Sequence, residues 1–170
     1  MATAILTPAA LREVIHYDEK TGVFTRLVRL AQRHHAGDRA DTLITYPRMY
    51  GYRRVSLFSK RYLAHRLAWF YVHGVWPKQH IDHINGDKSD NRIENLREAD
   101  DKLNLENIRV AKVTNKVGML GVYWHKQNKN WIARIQIDKK THHIGVFSNP
   151  DDAHRAYLVE KRKYHAGCTI

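Results

Sequence analysis

Cysteine is nearly missing from this chain: Cys168 is its one thiol in 170 residues. A single thiol excludes an internal disulfide and any zinc site built on a cysteine cluster. It also points to a reducing, intracellular setting. Long apolar runs are missing as well, and none approaches the roughly 20 residues that span a bilayer. The opening MATAILTPAALREV has no basic region followed by an apolar stretch, so no secretory leader is expected. There is no internal repeat, no low-complexity tract and no coiled-coil seam, and a monomer is expected. Acids are scarce, 17 against 29 lysines and arginines, which leaves a formal charge of +12.

What is present fits a globular protein with an anionic partner. A hydrophobic fraction of 43% with 27% charged residues is too apolar for a disordered chain. The basic residues are interleaved with Tyr, Trp and His and form no basic amphipathic helix, which favours nucleic acid over a membrane surface. The charge is uneven. Residues 1–80 hold 13 cations and 5 acids, residues 81–110 hold 5 and 8, and residues 111–170 hold 11 and 4. The middle segment, IDHINGDKSDNRIENLR onward, is a negative island between two positive flanks.

Local signals divide the chain into small α+β modules. TPAALREVIHY, residues 7–17, reads as a helix with Thr7 as N-cap and Pro8 in its first turn. VFTRLVRL reads as a strand, and residues 31–50 as irregular. GYRRVSLF and RYLA read as two strands joined at Ser59-Lys60, followed by a helix over residues 64–73 that stops at Gly74. HIDHI is a short strand, Asn85-Gly86 a turn, NRIENLREA an extended return, and Asp100 the cap of a helix from Asp101. AKVTNKVG, residues 111–118, reads as a linker. Three strands and a capped helix follow. The expected division is an N-terminal α/β region over 1–50, a core over 51–110, the linker, and a sheet-plus-helix module over 119–168.

The acidic island has the groups that phosphodiester hydrolysis needs. A histidine near its ordinary pKa can take a proton from water. A hard divalent ion needs only one or two protein oxygens, since it keeps most of its waters. Asp82 and His83 lie together at a strand end, and Asn95 and Asn104 follow 12 and 21 residues after His83. Asp87 and Asp90 read more simply as a solvated loop.

The stretch AHRLAWFYVHGVWPKQHIDHINGDKSDNRIENLREADDKLNLEN resembles the HNH endonucleases of phages and mobile introns, a branch of the ββα-metal nucleases. The resemblance covers roughly residues 50–110 and rests on the spacing of DHING, NRIENLR and the later asparagine. It implies that Asp82 and Asn104 bind one Mg²⁺ or Mn²⁺, that His83 is the general base, and that Asn95 holds its imidazole. It implies products with a 5′-phosphate and a 3′-hydroxyl, a phage or mobile-element origin, and action in the cytoplasm of a bacterial host. His65-Arg66 matches a recurrent pair of this branch, with two readings open: His65 anchoring the helix and Arg66 near backbone phosphates, or a direct active-site role.

LGVYWHKQNKNWIARIQIDKKTHHIGVFSNPDDAHRAYLVEKRKYHAG resembles the AP2 DNA-binding domain, which lays a three-stranded sheet in the major groove with a helix behind it. Strand alternation puts Val122, Trp124, Ala133, Ile135, Ile144 and Val146 on the helix side. Tyr123, His125, Arg134, Gln136, Thr141 and His143 then form the outer, DNA-binding face, rich in donors for bases and phosphates. Several of these differ from the plant AP2 pattern, so the plant recognition sequence does not carry over. The expected function is a homing-type endonuclease acting on double-stranded DNA, with no small-molecule cofactor and no membrane. The alternative is an AP2-type DNA-binding regulator whose HNH region is non-catalytic.

Overall fold

The computed structural model describes residues 6–112 and 114–170. The fold is α+β, built from short helices and small antiparallel sheets. Two compact units divide the chain, Met1–Ala99 and Asp100–Ile170.

In the first unit, helix α1 (Pro8–Val14) starts where Thr7 Oγ1 accepts the amide of Ala10 at 3.2 Å. It is shorter than the expected 7–17, because Ile15–Asp18 turns into strand β1 and pairs with β2 (Val23–Arg26). Burying Ile15 and Tyr17 in a sheet outweighs the helical pattern there. Strand β3 (Asp41–Leu43) arises in the stretch expected to be irregular and joins β4 (Arg53–Leu57) and β5 (Lys60–Leu63) in a three-stranded sheet. The turn between β4 and β5 is Phe58-Ser59, one residue earlier than the sequence indicates. Helix α2 (Ala64–His73) ends at Gly74, whose φ of 75° is the left-handed cap. Strands β6 (His80–His83) and β7 (Leu96–Ala99) pair antiparallel.

One core holds all of this together. Leu11, Ile15, Tyr17 and Phe24 pack with Val55, Leu57, Leu67, Phe70, Ile81 and Leu96. Each such side chain contributes about 1.5–3 kcal/mol on full burial. The described part of the N-terminal region, residues 6–50, therefore packs into the same core as β4 to β7, across the boundary expected at residue 50. Asp41 adds a polar tie: buried, it takes Arg39 at 3.0 Å and Arg53, and accepts the amide of Phe24 at 3.4 Å. A buried carboxylate needs that pairing.

In the second unit, strands β8 (Val122–His125), β9 (Asn130–Ile137) and β10 (Lys140–Phe147) form a sheet of order β10-β9-β8. Helix α4 (Pro150–Tyr164), capped by Asn149 on the amide of Asp152 at 2.8 Å, covers one face. Val122, Ala133 and Ala153 make the buried contact. Gly121 is obligatory: a Cβ there would lie 2.0 Å from the Tyr157 ring, at a φ of 72°. Two expectations for the inner face fail. Val146 and Trp124 are exposed, at 54% and 44%. A register shift between His143 and Gly145 moves Val146 to the outer face opposite Ile132, and Phe147 packs inward instead. Trp124 lies in the edge strand and leans on Trp131, ring centroids 4.8 Å apart.

Helix α3 (Asp101–Glu106) belongs to this second unit, which corrects the boundary expected at residue 110. Six residues cannot hold themselves helical, so the C-terminal tail and α4 do it. Gly167 N donates to Glu106 Oε2 at 3.0 Å, Thr169 Oγ1 to Asn107 Oδ1 at 2.6 Å, and Arg109 to Thr169 O at 3.0 Å. The Lys161 ammonium, buried in α4, donates to the carbonyl of Ile108.

Candidate active site

Strand β6 brings Ile81, Asp82 and His83 to buried positions, with Asp82 opposite Arg97 and His83 opposite Leu96 on β7. Residues 84–95 loop between the strands. Asn95 closes the base of that loop: its Oδ1 accepts the amide of Asn85 at 2.9 Å, and its Nδ2 donates to Asp90 O at 2.8 Å. Both ends of the Asn95 amide are therefore committed to backbone.

The His83 ring, 4% exposed, has its Nε2 3.1 Å from Asn91 Oδ1. Asn91 Nδ2 donates to Ser89 O at 3.4 Å, which aims the oxygen at the ring. An amide oxygen only accepts, so Nε2 carries the proton and the basic lone pair lies on Nδ1. Burial pushes the His83 pKa down, and the opposing pull of Asn91 and of Asp82, Asp87 and Asp90 does not restore it. The ring is neutral at pH 7, the form a general base requires. The expectation that Asn95 holds the imidazole is corrected: Asn91 is the amide on the ring, and Asn95 shapes the loop that presents it.

The N-terminal hairpin braces Asn91 from behind. The buried Tyr17 hydroxyl donates to Asn91 O at 2.6 Å, and Ile93 N donates to Glu19 O at 3.1 Å. Gly22, at φ 71°, lies so close that a Cβ would be 2.5 Å from Asn91 C and Arg92 N. A second histidine sits beside the first. His65, 4% exposed, meets His83 edge-on with centroids 5.1 Å apart, and Tyr52 lies 5.2 Å from it. Burial first, then the charges of His83 and Arg66, push its pKa down to about 3. Its Nδ1 is buried with no hydrogen-bond partner among the described residues.

Asp82 Oδ2 accepts Arg97 Nη2 at 2.8 Å and Nε at 3.0 Å. Its carboxylate is a hard oxygen donor of the kind Mg²⁺ and Mn²⁺ prefer. No group of three or more His, Cys, Asp or Glu gathers to hold a metal among the described residues. That donor set fits an ion that keeps its waters and takes few protein ligands, and not a closed structural site. Other acids of the island are engaged elsewhere: Asp87 accepts the amide of Ser89, Asp90 accepts the side chains of Arg92 and Asn85, and Glu98 accepts the amides of Lys78 and Gln79. Arg66 donates to Gln79 O and Pro77 O, both at 3.0 Å, so its guanidinium clasps the loop before β6 where a phosphate contact was expected.

Residues 62–106 match the profile of the HNH endonucleases. The chain is also 32% identical over 88 residues to Protein 3.8 of Escherichia phage T7, a stretch that is 51% of this chain and 72% of that protein. The chain belongs to the HNH endonuclease family. It carries a nuclease domain, and nucleases of this family generally use divalent metal ions. No solved structure matches it significantly. No helix among the described residues is long and apolar enough to cross a membrane.

The HNH match takes in β6, its loop and β7, and extends to Asn104, which lies exposed on α3 in the second unit. On the sheet of that unit, Arg134 pairs with His143 and Gln136 with Thr141 across β9 and β10. These four side chains and Tyr123 are exposed on the face away from α4. His125 is half-buried at the end of β8, and its Nδ1 accepts the amide of Asn128 at 3.2 Å, which commits it to the turn. Sequence reasoning missed Asn91, Tyr17 and Gly22. Nothing in DKSDNRIEN sets Asn91 apart from its neighbours, because its role depends on a loop path closed elsewhere.

Proposed function

We propose that this HNH protein is a homing-type endonuclease that cuts double-stranded DNA, leaving a 5′-phosphate and a 3′-hydroxyl. The observation that carries the reading is the buried His83 ring, held on Nε2 by Asn91 beside the Asp82 carboxylate, inside the stretch that matches the HNH profile. His83 Nδ1 takes the proton of the attacking water. The water oxygen bonds to phosphorus, the bond from phosphorus to the 3′ oxygen breaks, and that oxygen is protonated from solvent. Asp82 would hold Mg²⁺ or Mn²⁺. When bound, the ion supplies positive charge to the phosphate and the leaving oxygen. Asn91 and Asn95 act by position, one on the ring and one on the loop.

The AP2-like sheet is proposed as the reader of the duplex, through Tyr123, Arg134, Gln136, Thr141 and His143, with His125 at its margin. Nicking of supercoiled plasmid with and without Mg²⁺, by the native protein and by His83→Ala, tests the reading. Nicking in Mg²⁺ that EDTA and His83→Ala both abolish supports it. The alternative, an AP2-type regulator with a silent HNH region, draws on the Arg97 guanidinium already lying against Asp82. Tight plasmid binding with no nicking in either metal would favour that alternative.

A further inference from the structure

The tip of the β4–β5 hairpin breaks a local rule and gains no burial in return. Leu57 pairs with Lys60, so Phe58 and Ser59 form a two-residue turn, and both have positive φ, 49° and 62°. Such turns favour Asn and Gly, which tolerate that conformation, and a bulky aromatic there is an outlier. The corresponding turn between β9 and β10 uses Asp138-Lys139 and so begins with a tolerant residue. Phe58 is 55% exposed, and its ring stacks on no aromatic ring among the described residues. A residue that strains the backbone without packing marks function more often than stability.

The surroundings say what the ring would meet. Lys60 and Arg61 follow the turn, after Ser59, and are exposed, and Ser56 lies opposite Arg61 across the hairpin. An apolar ring at the apex of a cationic finger is the composition of side chains that enter a base step while cations hold the flanking phosphates. The finger is also continuous with the catalytic site. Tyr52, just before β4, lies 5.2 Å from the His65 ring, and His65 begins two residues after β5 ends.

We propose that Phe58 is a wedge that inserts between base pairs of duplex DNA, with Lys60 and Arg61 on the adjacent phosphates, and distorts the duplex beside the scissile strand. This rests on the reading of the chain as a DNA nuclease. Insertion unwinds DNA, so it is measurable on plasmid of any sequence. The test uses full-length His83→Ala protein without divalent metal, so that no cutting intervenes, and a metal-independent topoisomerase to fix the linking number. The parent shifts the linking number. Phe58→Asn, whose new side chain suits the positive φ, abolishes the shift, weakens duplex binding about ten-fold, the size of one stacked base, and raises the melting temperature. Phe58→Trp keeps the shift. Equal unwinding by Phe58→Asn overturns the proposal, and so does a lowered melting temperature, which would make the ring structural. A Phe58 requirement for binding anionic lipid vesicles, with none for DNA, also overturns it. A parent that binds no DNA at all fails the nuclease reading itself, and is recognised as such because both variants are then silent.

Discussion

Two neutral imidazoles buried side by side make this protein sensitive to mild acid. His65 has a pKa near 3 in the folded state, against 6.5 for an ordinary histidine. Between those values the unfolded chain binds a proton at His65 that the folded chain does not. Stability is therefore complete above pH 6.5 and falls as pH falls through that window. From pH 7.5 to pH 4.5 the loss from His65 is on the order of 3 kcal/mol, since only the two pH units below 6.5 contribute. His83, whose pKa is also lowered by burial, adds a loss of the same sign. Against a typical total of about 5–15 kcal/mol, that is a large fraction. The window stops at pH 4.5 because the carboxyls of Asp18, Asp41 and Asp90, all held below 3.8, titrate beneath it. Urea titrations at the two pH values, read by amide exchange in α2 so that the first unit is observed by itself, measure the effect. His65→Phe removes the titrating group while keeping an aromatic ring against Tyr52. Its pH-dependent loss should be smaller than the native one by about 2–3 kcal/mol. Equal losses in the two proteins would refute the burial of a neutral His65.

In Mg²⁺, His83→Ala should slow plasmid nicking by about 10²–10⁴-fold while sparing DNA affinity, since a neutral ring adds no charge to the interface; full activity would remove His83 from the mechanism. Tyr17→Phe removes the 2.6 Å hydrogen bond to Asn91 O and should lower the cleavage rate at saturating metal with metal affinity unchanged, whereas a defect rescued by added Mn²⁺ would count against the brace. Asn95→Ala leaves the Asn85 amide and the Asp90 carbonyl unsatisfied and should destabilise the first unit by about 1–3 kcal/mol, measured by urea titration. Arg134→Ala and Gln136→Ala should each weaken a preferred site by about 1–3 kcal/mol and relax preference at one base pair, while Lys139→Ala should weaken all duplexes alike; binding isotherms on target and random DNA at two salt concentrations separate the two patterns.

The sequence by itself determined the elements whose signals are local. Thr7 and Asp100 cap the helices expected of them, because a cap needs only its own side chain and an amide three residues on. The three strands and helix of the second unit, and the Asp82-His83 strand end, were legible for the same reason, as period and spacing are written along the chain. The acidic island was legible as a location, with Asp87 and Asp90 read as loop residues and Asp82 set apart in the strand beside His83. What tertiary structure alone decided are contacts between residues far apart in sequence. Tyr17 reaches Asn91 across 74 positions, and Thr169 reaches Asn107 across 62. The register shift in β10 turns Val146 outward although its alternation reads inward. No periodicity encodes these, because each is set by how buried surfaces must meet once the core around Phe24 and Leu67 has closed, and that closure also selects Asn91 over Asn95 as the partner of the His83 ring.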